Sequence, residues 1–202
     1  VASLQLPELG ERLTAESGWS VGVASLRGVG DSPGTFSIPG WKDDLTTVMN
    51  ALLGERDHLA LAGFGLGGAL ALRVAVEDER VRGVATLATA SDLTDFCGDP
   101  SEFARACERA GVVGPEEIND SGQLARDVVG LDPLAAAALL PPRRLLFVHG
   151  SNDPIAPEQS ARALVQAAGG HAELRIIQGA GHWLRADPRM FATLLGWLDR
   201  QH

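Results

Sequence analysis

The six residues Gly63-Phe64-Gly65-Leu66-Gly67-Gly68 constrain this chain more than any other stretch. Four of them are glycine. They lie between an apolar run, residues 58–63 (HLALAG), and a run of small residues with helical spacing, residues 66–76. An apolar strand, a sharp turn and a helix in direct succession fit a buried parallel sheet, where the crowded turn needs small neighbours.

The rest of the chain repeats that alternation. Helices are expected over residues 6–17, closed by Gly18, over 41–53, 66–76 and 158–168, and over 188–199. Short apolar strands are expected at 20–26 (SVGVASL), 58–63, 81–88 (VRGVATLA), 144–149 (RLLFVH) and 172–177. Between residues 91 and 142 the pattern breaks into helical pieces and turn signals, ending at Pro141-Pro142. The expectation is an α/β fold: a mostly parallel, doubly wound sheet of five strands with helices on both faces. It forms one domain over residues 1–202, with a short helical lid at about 91–142.

The totals narrow the partners. A chain of 202 residues can bury a core without disulfides. A net charge of −9 argues against nucleic acid or an anionic membrane surface as partner. No apolar run approaches the roughly 20 residues of a membrane span, and no secretory leader pattern is legible. Cys97 and Cys107 are too few for a disulfide framework and have no neighbouring His to make a metal site. They read as reduced thiols of a cytoplasmic protein.

Three segments fall just past strand ends, where open α/β sheets place their chemistry. They are the glycine turn itself, the loop His149-Gly150-Ser151-Asn152-Asp153-Pro154, and Gly179-Ala180-Gly181-His182. A turn at a strand–helix junction, then an Asp, then a His is the chain order of a hydrolytic triad on such a sheet. On GFGLGG, HGSNDPIAP, GAGH and the early loop LRGVGDSPG, the chain resembles the α/β-hydrolase family, in its small esterase, lipase and peptidase-like branch. The resemblance covers nearly the whole chain outside the lid. It implies a nucleophile at position 65, Asp153 as the acid, His182 as the base and the Leu66 amide as an oxyanion donor. It implies no cofactor and no metal. Trp183, next to His182, is expected either to cover the base or line the pocket, or to make a core or lid contact.

Two features depart from the family. The central residue of its G-x-S-x-G supplies the attacking oxygen, and here it is Gly65, which has no side chain. Glycine suits a turn with positive φ, so the change harms the chemistry and spares the fold. The family also places a central strand, ending in an oxyanion motif such as HG, before the first helix of this chain, in space between the strands matching SVGVASL and HLALAG. Its absence from the sequence is read as truncation of the N-terminus, the alternative being a degenerate copy that folds differently.

Other residues have plainer readings. Ser32 and Ser91 are the nearest substitutes for the missing oxygen, but neither sits on a strand–helix turn. Cys97 and Cys107 have no adjacent base. His149 reads as a packed, hydrogen-bonded side chain, and His58 and His171 as surface residues. Gly63, Gly65 and Gly68 spell a dinucleotide G-x-G-x-x-G by letters, but no acidic residue ends the next strand; Gly28 and Gly30 make no such fingerprint either.

The resulting expectation is an esterase-like protein, impaired or non-hydrolytic, holding a small, largely apolar ester or carbonyl compound. The alternatives are an enzyme using the Asp153–His182 dyad without a nucleophile, and an esterase whose Ser was replaced by Gly.

Overall fold

The computed structural model describes residues 6–29, 32–54, 56–109 and 120–201. Gly30 and Asp31 of the early loop lie outside the described residues. The chain divides into two compact units.

The first unit comprises residues 1–23, 55–91 and 133–202 and holds the sheet. Four strands, β1 (Leu59–Phe64), β2 (Val81–Leu87), β3 (Arg144–Gly150) and β4 (Glu173–Ile177), pair in parallel in the order β1-β2-β3-β4. The unit's helices are α1 (Leu6–Ser17), α3 (Leu66–Glu77), α7 (Pro133–Ala138), α8 (Gln159–Ala167) and α9 (Pro188–Asp199), with a 3₁₀ turn at Leu184–Ala186. Side chains alternate across β2 and β3. Ala85, Leu87, Leu146 and Val148 face a core built with Leu9 and Leu13 of α1 and Leu194, Trp197 and Leu198 of α9. On the opposite face α3 packs over β1 and β2, with α7 and α8 beside it. Gly83 in β2 makes room for Trp197: a Cβ there would stand 3.0 Å from its ring. That notch lets a fully buried indole lie against the sheet.

The second unit comprises residues 24–54 and 92–132. Its helices are α2 (Ile38–Leu53), α4 (Thr94–Cys97), α5 (Pro100–Arg109) and α6 (Ser121–Val129). Ser37 caps α2 by accepting from Gly40 N. The loop before α2 is tied down by the Arg27–Asp44 ion pair, and by Trp41 Nε1, which donates to Arg27 O at 2.9 Å.

Residues 20–26 correct the sequence reading: they form no strand, and the sheet has four strands instead of five among the described residues. A parallel strand is held by a neighbour's backbone, and no described strand lies beyond β1 to provide one. Val21 and Val23 instead flank Gly10 of α1, where a Cβ would stand 2.6 Å from Val23 Cγ2. In consequence β1 is an edge strand. It was expected to be buried, yet most of it is half-buried and Ala62 is exposed.

Candidate active site

The glycine turn folds as a strand–turn–helix junction. β1 ends at Phe64, α3 starts at Leu66, and Gly65 between them has φ +50° and ψ −119°. Most L residues avoid that conformation. The turn is clamped from two sides. Gly65 N donates to Leu87 O at 2.8 Å, and Gly65 O accepts from Thr89 Oγ1 at 3.0 Å and from Gly68 N at 3.1 Å. The flanking glycines answer to packing. A Cβ on Gly68 would stand 3.0 Å from Gly63 O and crowd Thr89 Oγ1, and one on Gly63 would stand 2.5 Å from Gly68 N. Leu66 opens α3, so its amide is a first-turn donor with no carbonyl one turn back.

The acid loop follows β3. Asp153 Oδ1 accepts from Ile155 N at 2.8 Å and Ala156 N at 2.9 Å, and Oδ2 accepts from His182 Nδ1 at 2.8 Å. The side chain of Asp153 is wholly buried. Burial pushes its carboxyl up, but the Ala156 amide, the His182 ring and the Ile155 amide outweigh that and hold it below the ordinary carboxylate value. An ionised Asp153 accepts only, so Nδ1 of His182 donates in this bond and Nε2 is the nitrogen turned the other way.

His182 stands in the loop after β4 with its side chain 18% exposed. Its Nε2 points at the turn: a Cβ on Gly65 would lie 3.9 Å from Nε2, the one atom it meets within 4 Å among the described residues apart from its chain neighbours. Position 65, His182 and Asp153 are thus strung in the spacing of a nucleophile, a base and an orienting acid.

The remaining candidates separate clearly. Trp183 is 69% exposed, with its ring edge-on to His182 at 5.5 Å and 82°, and with the Arg185 guanidinium 5.8 Å from its centre. Ser91 Oγ donates to Ser160 Oγ at 3.4 Å, and Ser32 Oγ to Ser25 O at 3.2 Å. Cys97 is buried, and that burial, with Cys107 nearby, pushes its thiol up to about 11; burial raises Cys107 too. Neither offers a thiolate near neutral pH. His58 and His171 are exposed, as expected, and His149 is packed and hydrogen-bonded, as expected. Among the described residues, no group of three or more His, Cys, Asp or Glu could hold a metal.

Sequence reasoning missed Thr89. Its signal was a small polar residue two past the end of β2, the strand beside the turn.

Residues 43–202 match the prolyl oligopeptidase family. No curated protein matches the chain. Among solved structures, a monoacylglycerol lipase from Paleococcus ferrophilus is 20% identical, with a TM-score of 0.74 over 96% of this chain and 88% of that one. A meta-cleavage product hydrolase from Pseudomonas fluorescens is 21% identical, with a TM-score of 0.70 over 96% and 85%. A carboxylesterase of the thaumarchaeon Nitrososphaera gargenis is 17% identical, with a TM-score of 0.60 over 86% and 77%. These neighbours share the parallel sheet with its flanking helices. The chain belongs to the prolyl oligopeptidase family, within the α/β-hydrolase superfamily.

Proposed function

We propose that this chain holds an acyl-hydrolase site that has kept its acid, base and turn but lacks the attacking oxygen. It binds a small, largely apolar ester or carbonyl compound and turns it over poorly or not at all. Gly65 stands at the nucleophile position, His182 at the base, Asp153 at the acid, with the Leu66 amide as oxyanion donor and Trp183 beside the pocket. The observation that carries this reading is the room at Gly65, where a Cβ would meet, among the described residues and apart from its chain neighbours, only His182 Nε2 within 4 Å. The Asp153–His182 bond at 2.8 Å supports it further. The two free thiols fit a reducing, cytoplasmic compartment.

The test is hydrolysis of p-nitrophenyl esters by the chain as it stands beside Gly65→Ser. Turnover confined to the Ser variant is the expected result. Equal inactivity of both, with ester binding absent, overturns the reading.

The same room favours a second reading, that the dyad activates a water molecule there. His182 Nε2 would take the proton as the water oxygen attacks the carbonyl carbon, and return it to the leaving alkoxide. This reading predicts slow turnover by the Gly65 protein that His182→Ala abolishes. The separate case, in which Gly has simply replaced Ser in an ordinary esterase, predicts instead that Gly65→Ser recovers full activity.

A further inference from the structure

We infer that His149 is a positioning residue of this site, a second imidazole that holds the Asp153 carboxylate for His182. The inference rests on the proposed roles of Asp153 and His182.

His149 is the penultimate residue of β3, and its side chain is 1% exposed. Its Nε2 lies 2.8 Å from Ala156 O. A carbonyl oxygen only accepts, so this nitrogen bears the hydrogen and the ring is fixed in one tautomer. The same Nε2 stands 3.4 Å from Asp153 Oδ2, the oxygen that receives the proton of His182 Nδ1. The N–H of His149 is thus given to the loop carbonyl, with the carboxylate oxygen close beside the same nitrogen.

Two consequences follow. The Ala156 bond closes the turn at residues 153–156, whose amides hold Oδ1. The loop's grip on one carboxylate oxygen thus depends on the ring that faces the other. The buried ring also stands beside Oδ2, with Nε2 at 3.4 Å, so its position bears on where the carboxylate can settle. Sequence alone places His149 in the core, four residues before Asp153, with no reason to join it to the site. The buried contact to Oδ2 is what changes that reading.

The discriminating pair is His149→Gln and His149→Met. The two side chains have similar length, but only Gln carries an N–H that can reach Ala156 O and Oδ2. The first readout is the Nδ1 proton of His182 by NMR, in the chain with Gly65 in place. A slowly exchanging, far-downfield resonance is expected in the parent and in His149→Gln, and its loss in His149→Met. The second is ester hydrolysis in the Gly65→Ser background. There kcat falls roughly 10- to 100-fold in His149→Met with KM nearly constant, and recovers in His149→Gln. Melting curves of both variants identify simple loss of fold, which would lower the two alike. Matching resonances and rates in two folded variants overturn the inference. If Gly65→Ser is inert while His149 is intact, the proposed function fails, and the resonance comparison still decides the role of His149.

Discussion

Gly150→Ala tests how the fold brings acid and base together. Gly150 ends β3 opposite Ile177, where the loop carrying His182 crosses the loop carrying Asp153. The two loops are stitched by Ser151 N to Ile177 O at 3.1 Å, Asn152 N to Ala180 O at 2.9 Å, and Gly179 N to Ser151 Oγ at 2.8 Å. A Cβ on Gly150 would lie 2.6 Å from Gly181 O and 2.7 Å from the carbonyl carbon of Ala180. Ordinary contact distances are near 3.5 Å, so the base loop must retreat by roughly 1 Å. Its neighbours there are backbone atoms, which cannot swing aside as a side chain would. Overpacking of this kind costs about 1–3 kcal/mol. For a chain of this size that lowers Tm by roughly 2–4 °C per kcal/mol. The same 1 Å stretches the 2.8 Å Asp153–His182 bond beyond useful length. Displacement on that scale costs on the order of 100-fold in kcat, measured as p-nitrophenyl ester hydrolysis in the Gly65→Ser background. A Gly150→Ala protein with unchanged Tm and unchanged kcat would refute the claim that this crossing sets the dyad's geometry.

Further outcomes follow from neighbouring residues. Gly67→Ala raises stability by about 0.5–1 kcal/mol in a thermal melt, because its Cβ meets nothing within 4 Å inside α3; a loss of stability would contradict the described turn. Thr89→Val removes the hydroxyl that holds Gly65 O and costs about 1 kcal/mol in denaturant unfolding. Asp153→Asn keeps an acceptor for the Ile155 and Ala156 amides but turns an amide toward His182 Nδ1. In the Gly65→Ser background kcat should drop by roughly 10⁴-fold, as when a triad Asp is replaced in serine proteases. The parent's stability should also depend on the Asp153 charge. Its folded carboxyl titrates below the ordinary value of 3.8, so its contribution is complete above that pH and drains away as pH falls through the folded value. Asp78 beside Arg80 and Asp44 beside Arg27 shift in the same direction. Asp153→Asn should therefore flatten the acid limb of a Tm-against-pH curve without abolishing it.

Much of this arrangement was legible in the residues. The helix over 188–199 was bounded correctly because Asp187 and Pro188 are strong start signals. The Asp and His positions stood out because each follows an apolar strand at the end where this sheet keeps its loops. Residues 20–26 misled because alternation of Val and small residues reports a strand's side chains and says nothing of whether a neighbour exists to pair with it. The same pairing fact explains why β1 reads as buried in sequence and is an open edge in the fold. Thr89 and the Oδ2 contact of His149 were invisible for a different cause. The Thr89 bond depends on how loops from two separate strands meet, and the Oδ2 contact on how the loop after β3 folds back onto its own strand.

The account rests most heavily on Gly65 being the one missing part. Its most direct test is ester hydrolysis by three proteins side by side: the chain as it stands, Gly65→Ala and Gly65→Ser. Both substitutions meet the strain of φ +50°, worth about 1–2 kcal/mol, so Gly65→Ala isolates that cost from the chemistry. The account predicts equal, low rates for the parent and the Ala variant. It predicts a gain for the Ser variant approaching the roughly 10⁶-fold that nucleophile loss costs a serine hydrolase, near 8 kcal/mol of barrier. A folded Gly65→Ser protein no faster than Gly65→Ala, or a parent already as fast as Gly65→Ser, would contradict it.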